Sequence, residues 1–337
     1  MIISSQGEAC SPNDDIKALD LNGTNGLRDR LLEIQASTGG GEAALLAGAE
    51  IELEQEKQAE KAEQEKLAKI EEARQALQDF RDFLVQSTYK GAQALPIEEE
   101  LLYSYNPETQ EYEITRKDGQ DIVLNLNGKN LQGELPLPPQ LMVTRLICYN
   151  NQLTTLPELP ASLTELICSG NQLTTLPELP TSLTELICHS NQLTTLPELP
   201  NSLSQLDCYT NQLTTLPELP ASLTNLNCGS NQLTTLPKLP PSLTRLDCYT
   251  NQLTTLPELP VSLTVLLCSG NQLTTLPELP ASLTMLQCSS NQLTTLPELP
   301  NSLSQLECEY NPSLSNDPAT RNALKAMRLR GGRVLAW

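Results

Sequence analysis

Aromatic residues make up only 3% of this 337-residue chain, as one Trp, two Phe and eight Tyr. The length suffices for two or three ordinary domains, but so few rings argue against a conventional large core. No apolar run approaches the roughly 20 residues needed to span a bilayer. The opening stretch, Met1 to Cys10, lacks a basic segment followed by an apolar one, so no Sec signal peptide is expected. Histidine occurs once, and none of the ten cysteines stands in a Cys-x-x-Cys pair. The usual zinc patterns are therefore missing, and neither metal nor cofactor is expected. Without a signal peptide, ten cysteines point to a reducing compartment.

Positive charge is also scarce, with 21 Lys and Arg against 41 Asp and Glu, a net charge of −20. Residues 1–121 hold 26 acidic and 12 basic side chains, and the remainder 15 and 9. Such a surface repels phosphate backbones and anionic lipid, which makes nucleic acid and membrane poor partners. The exception is the end of the chain, where Arg321, Lys325, Arg328, Arg330 and Arg333 follow Asp317 without an intervening acid.

Proline is plentiful, at 25 residues, and it is periodic. One unit reads Leu163-Thr-Glu-Leu166-Ile-Cys168-Ser-Gly-Asn171-Gln-Leu173-Thr-Thr-Leu176-Pro177-Glu-Leu179-Pro180-Thr-Ser182. It starts at Val143, Leu163, Leu183, Leu203, Leu223, Leu243, Leu263 and Leu283, giving eight full units of 20 residues. A ninth starts at Leu303 and departs from the pattern after Asn311-Pro312. Leu-x-x-Leu-x-Cys-x-x-Asn-x-Leu is the leucine-rich-repeat signature. Leu166 and Cys168 alternate with Glu165, Ile167 and Ser169, the period of a strand with one face in and one face out. Strands of successive units must run parallel, because each crosses over through the rest of its own unit. Pro177 and Pro180 favour an extended, polyproline-like return rather than a helix. One unit cannot bury its leucines alone; stacking supplies the partners, at about 1.5–3 kcal/mol per buried Leu before entropy is subtracted.

Nine cysteines, Cys148 to Cys308 at intervals of 20, fall on the inward side of the strands. Neighbouring parallel strands point them the same way, which is poor disulfide geometry, so they read as small core-filling thiols. Cys10 lies outside this series. The asparagines from Asn151 to Asn311 read as amides that satisfy turn backbone. The Glu of each Leu-Pro-Glu-Leu-Pro reads as a solvated convex stripe, broken by Lys238.

The copies are not equally alike. Gln-Leu-Thr-Thr-Leu-Pro is identical in all eight full units, exposed residues included. Variation concentrates instead in the outward positions of the strands. These hold Arg145, Ile147 and Tyr149; Glu165, Ile167 and Ser169; Glu185, Ile187 and His189. Next come Gln205, Asp207 and Tyr209; Asn225, Asn227 and Gly229; Arg245, Asp247 and Tyr249. Val265, Leu267 and Ser269, then Met285, Gln287 and Ser289, then Gln305, Glu307 and Glu309 complete the series. Neutral drift on an exposed strand is one account, but the exposed Thr-Thr pair has not drifted. The other account is a diversified binding face. Its candidate partner-binding residues are Arg145, Ile147, Tyr149, Glu165, Ile167, Glu185, Ile187, His189, Gln205, Asp207, Tyr209, Asn227, Arg245, Asp247, Tyr249, Leu267, Met285, Gln287 and Glu307. Tyr149, His189, Tyr209 and Tyr249 share one row, and Tyr is enriched at interface hot spots. Ile147, Ile167, Ile187 and Leu267 are outward yet apolar, which suits contact with a partner or self-association.

The ends differ from the array. Residues 1–41 read as a mostly disordered leader. Residues 42–88 read as a long charged helix, with Leu67, Ile70, Ala73, Leu77, Phe80 and Leu84 on one stripe. Residues 89–121 read as a linker and a β-hairpin cap, with short strands at 101–105 and 112–116; a further strand at 122–126 follows, with Asn106-Pro107 and Asp118-Gly119 marking the turns between them. The array covers 122–313. Over 314–337 a cap helix is expected, with Asp317 as N-cap before Pro318, followed by a basic tail. The fold class expected is thus an α/β solenoid. It is a leucine-rich-repeat horseshoe with a parallel concave sheet and an extended convex side, plus the N-terminal helix and hairpin.

Over residues 122–313 the unit Leu-x-x-Leu-Pro-Glu-Leu-Pro-x-Ser-Leu-Thr-x-Leu-x-Cys-x-x-Asn closely resembles the short repeats of the bacterial IpaH/YopM class of leucine-rich-repeat effectors. The resemblance implies a type III secreted virulence protein acting in the host cytoplasm, with its first residues as export signal. The IpaH branch carries a C-terminal ubiquitin-ligase domain with a Cys-x-Asp nucleophile. Here 26 residues follow Asn311 and none is cysteine, so that activity is not carried over. The ligase-free branch fits better, although its short helical cap differs from the long helix and hairpin expected here. The leading expectation is a non-catalytic module that binds host proteins. Two alternatives stand: the substrate-recognition part of a truncated or split ubiquitin ligase, and a bacterial cytoplasmic adaptor.

Overall fold

The computed structural model describes residues 42–86, 101–106 and 111–336. The expected leader at 1–41, most of the linker and Cys10 lie outside the described residues. The chain divides into two compact units, Met1–Ala68 and Lys69–Trp337.

Helix α1 (Glu42–Gln86) is rich in Ala, Glu, Gln and Lys, all good helix formers. In its first part, residues 54–68 are exposed, with ion pairs Lys61–Glu65 at 3.8 Å and Lys66–Glu63 at 3.6 Å on neighbouring turns. From Lys69 onward the side chains change role. Ala73, Leu77 and Phe80 are buried at helical spacing, and Phe83 is partly buried beside them. Leu67, placed on the same stripe by the sequence, is 41% exposed.

Strands β1 (Leu101–Asn106) and β2 (Glu111–Arg116) pair antiparallel. The Arg74 guanidinium sits 5.2 Å from the centroid of the Tyr103 ring. The hairpin is bonded to the first coil through its backbone: Ile114 N–H donates to Gln140 O at 2.7 Å and Ile114 O accepts from Met142 at 3.0 Å.

The array forms one eleven-stranded sheet. Its strands are β3 (Ile122–Asn125), β5 (Val143–Ile147), β7 (Glu165–Ile167), β8 (Glu185–Ile187), β9 (Gln205–Asp207) and β10 (Asn225–Asn227). It continues through β11 (Arg245–Asp247), β12 (Val265–Leu267), β13 (Met285–Gln287), β14 (Gln305–Glu307) and β15 (Arg333–Leu335). A separate parallel pair, β4 (Gln132–Glu134) with β6 (Gln152–Thr155), lies in the first coils. From β7 to β14 the register advances by 20 residues per strand, as in Leu166↔Leu186 and Leu206↔Leu226. The repeat length thus sets the register, and the inward Leu and Cys of each strand stack on their counterparts. Leu166, Cys168, Leu173 and Leu183 are fully buried, as are their equivalents along the array.

The asparagine series does what a buried amide must. Asn171 Nδ2 donates to Cys148 O at 2.9 Å and Cys168 O at 3.0 Å, while its Oδ1 accepts from Leu153 N at 3.0 Å. Each amide therefore ties its own turn to the preceding coil, and the pattern recurs to Asn311. The Ser and Thr of each approach segment act in the same way: Ser182 Oγ donates to Leu163 O and Thr184 Oγ1 to Thr164 O. These bonds explain why polar residues on otherwise simple turns are repeated so closely.

The far end is closed by helix α2 (Pro318–Leu329). Asp317 caps it, accepting from Thr320 N at 2.7 Å, and Thr320 Oγ1 in turn accepts from Leu296 N at 3.1 Å. Leu324 and Met327 are buried against the last coil. The segment expected as a basic tail is structured differently. Its residues 333–335 form β15, which pairs with β14 in parallel and extends the sheet by one strand. Arg330 anchors the turn before it, donating to Pro300 O at 2.9 Å.

Candidate functional site: the concave sheet

The outward strand positions form three rows across the sheet. The first row runs Arg145, Glu165, Glu185, Gln205, Asn225, Arg245, Val265, Met285 and Gln305. The second runs Ile147, Ile167, Ile187, Asp207, Asn227, Asp247, Leu267, Gln287 and Glu307 in the same register. Tyr149, His189, Tyr209, Gly229 and Tyr249 belong to the third, where the ladder continues through bonds such as Thr210 N to Gly229 O at 2.9 Å.

Parallel in-register stacking has a consequence for exposure. Outward side chains of neighbouring strands stand roughly 4.8 Å apart and shield one another. Of the candidate residues, Arg145 and Arg245 are exposed and most of the others are half-buried. Ile147, Ile167 and Ile187 form a continuous half-buried apolar strip. Leu267, grouped with them by composition, is separated from that strip by Asp207, Asn227 and Asp247. Asp247 is the extreme case: it is 6% exposed although it sits on the outward face.

The charges are paired across and along strands. Arg145 holds Glu165 in a fork, Nε to Oε2 at 2.6 Å and Nη2 to Oε1 at 3.0 Å. Arg145 and Glu185 then flank Glu165, and burial followed by the Glu165 charge raises the Glu185 carboxyl above its ordinary range. Arg245 donates to Asp247 Oδ2 from Nε at 3.1 Å and from Nη2 at 2.8 Å. At the far end Gln305 Nε2 donates to Glu307 Oε1 at 3.0 Å.

The aromatic row is an assembly rather than a set of separate rings. His189 and Tyr209 stack, with centroids 4.3 Å apart and planes 20° from parallel. Tyr249 folds across the neighbouring strand over Gly229, where a Cβ would stand 2.5 Å from its Cε1. Sequence reasoning treated Gly229 only as one more variable position; its signal, a missing side chain in a row of rings, becomes readable once the register is known. Burial lowers the His189 imidazole and raises the Asp207, Asp247 and Tyr249 groups.

The inward face offers no comparable chemistry. The nine thiols from Cys148 to Cys308 are free and buried, and burial pushes Cys148, Cys228 and Cys268 up to about 12. A thiol held so far from thiolate is a poor nucleophile and a poor ligand at neutral pH. Among the described residues no group of three or more His, Cys, Asp or Glu is placed to hold a metal, and no helix is long and apolar enough to cross a membrane.

No protein-family model and no curated protein matches the sequence. Solved structures do. YopM from Yersinia pestis, described as a leucine-rich effector protein, is 36% identical at a TM-score of 0.50, over 57% of this chain and 69% of that one. YopM from Yersinia enterocolitica is 37% identical at a TM-score of 0.43, over 54% of this chain and 49% of that one. A Shigella effector leucine-rich-repeat domain is 29% identical at a TM-score of 0.42, over 65% of this chain and 82% of that one. The chain belongs to the leucine-rich-repeat proteins, in the class of the bacterial effector YopM. The fold is that of a protein-interaction module, with one extended concave surface on offer.

Proposed function

We propose that this chain is a non-catalytic bacterial effector that is delivered into host cells and binds a host protein across its concave sheet. One observation carries the reading. Most of the side chains that vary from repeat to repeat gather in three adjoining rows on one face. Outside them the main variable positions are the residue before each ladder asparagine and the one, from Ala161 to Asn301, before each approach serine, while the exposed Gln and Thr residues are repeated without change. The kinship with YopM supports the effector part of the proposal.

Delivery is tested by fusing residues 1–50 to a reporter in a bacterium with a working type III apparatus. The reading expects reporter in the host cytoplasm, and none when the apparatus is disabled. Retention of the reporter inside the bacterium in both strains contradicts export.

A further inference from the structure

Asp207, Asn227 and Asp247 occupy neighbouring positions of the second row, in register on three adjacent strands. Adjacent strands lie about 4.8 Å apart, so the two aspartates are carried on backbones about 10 Å apart with the neutral Asn227 between them. Asp247 is 6% exposed, and its two oxygens are unlike. Oδ2 accepts both bonds from Arg245, whereas Oδ1 is enclosed and has no donor. Arg245 itself stands at the rim, with its side chain 46% exposed, and satisfies only one side of the carboxylate. Asp207 is half-buried and accepts from the backbone of Tyr209 at 3.4 Å, a long bond, and from the Asn227 side chain, which leaves part of its capacity open.

Rings close in on this pair. Tyr249 lies over Gly229, one strand nearer to Tyr209 than its own backbone, and Tyr209 is held from behind by the His189 stack. Asp207 and Tyr209 come from one strand and Asp247 and Tyr249 from the next but one, so the two carboxylates and the two rings border one volume above Asn227 and Gly229. We propose that this volume seats an arginine side chain from a basic segment of the partner protein, held by Asp207 and Asp247 and flanked by Tyr209 and Tyr249. The inference rests on the reading of the concave sheet as the partner surface and specifies its chemistry. Two carboxylates withdrawn from water with one oxygen undonated call for a cation that brings donors. Aromatic faces beside them favour a flat, weakly hydrated guanidinium over a compact ammonium. A bound metal fits poorly, because only two carboxylates meet there and an amide stands between them.

The test uses the full chain and a fluorescent peptide of Arg, Gly and Ser, read by anisotropy at about 150 mM salt, where long-range attraction is screened. Companion peptides carry citrulline, which keeps the shape without the charge, or lysine. The arginine peptide is expected to bind at least about tenfold tighter than the citrulline peptide and severalfold tighter than the lysine peptide. Asp207→Asn is expected to weaken it at least about fivefold, with Tyr209→Ala as a second variant that leaves both carboxylates in place. The double variant Glu178→Gln, Glu198→Gln removes charge from the other side of the coil and is expected to bind as the parent does. Equal binding of arginine and citrulline peptides overturns the proposal. So does an equal loss in the Glu178 and Glu198 variant, which reduces the effect to general acidity. If concave tyrosine variants abolish partner capture while the peptides show no arginine preference, the arginine site falls and the partner surface stands.

Discussion

The Tyr249 ring lies so close over Gly229 that a Cβ there would stand 2.5 Å from Cε1 and 2.6 Å from Cζ. The absent side chain of one repeat is therefore filled by the aromatic side chain of the next. Gly229→Ala should displace the ring without harming the coil, because the obstructed atoms belong to the free end of a side chain. Urea denaturation should show a change within about 1 kcal/mol, while partner capture falls. A large stability loss with capture intact would show that the ring serves packing.

The buried amides are the strongest polar elements of the array. Asn231 donates to Cys208 O, Cys228 O and Gly229 O and accepts from Leu213 N. Asn231→Ala leaves several buried backbone groups without partners, at about 1–3 kcal/mol for a single such group. A loss of about 3 kcal/mol is expected by urea denaturation, spread over neighbouring coils if the array unfolds as a unit.

The residue before each ladder asparagine is left-handed, with φ of 53° at Thr210 and 51° at Thr250. Only Gly170 and Gly270 supply glycine at that position within the array. A β-branched residue there carries about 1–2 kcal/mol of strain. Thr210→Gly should raise stability by about 0.5–1 kcal/mol after the extra freedom of the unfolded glycine is subtracted. Gly170→Ala should do the reverse, because its Cβ would also stand 2.6 Å from Asn150 Oδ1.

Burial holds the array thiols protonated, at about 12 for Cys228. In a Cys10→Ala background, a thiol-specific colour reagent at pH 8 should report almost no reaction until denaturant is added. The thiols of the array should then appear together with unfolding.

Asp207 gives a pH dependence with a definite sign. Burial raises its carboxyl in the folded state, so folding takes up a proton between the unfolded and folded values. Its contribution is therefore favourable at low pH and is lost as pH rises through the folded value. Asp207→Asn should be more stable than the parent at pH 7 by urea denaturation. The advantage should fade as pH falls toward the carboxylate range. His189, lowered by burial, has the opposite sign; the Asp207 charge partly raises it, so the substitution lowers it further, and repeating the comparison in a His189→Gln background isolates Asp207.

Much of the architecture is legible without coordinates because the period is literal. Leu166, Cys168 and Asn171 recur every 20 residues, and strand alternation assigns each to a side. The amides could be read as turn partners because a strand end leaves unpaired backbone, and the Cys148 and Cys168 carbonyls prove to be that backbone. The left-handed position was not legible: Ser190 and Thr210 are poor markers of positive φ, and the conformation is imposed by the ladder on both sides. The β15 strand was hidden by its charge, since Arg333 reads as tail until β14 offers an open edge. On the concave face, the tyrosine row followed from register alone. The burial of Asp247 and the folding of Tyr249 over Gly229 depend on contacts between residues 20 apart, which no local pattern encodes.

The central claim is that partners are bound by the concave rows and not by the repeated stripes elsewhere. It is tested most directly by using the full chain and two variants as baits in host-cell proximity labelling. One variant carries Tyr209→Ala and Tyr249→Ala; the other carries Glu198→Lys and Glu218→Lys on the Leu-Pro-Glu-Leu-Pro side, with all three proteins shown to melt alike. The account predicts that the tyrosine variant loses the main labelled partners of the parent and that the lysine variant keeps them. The same partners on the tyrosine variant, or their loss only from the lysine variant, would contradict it.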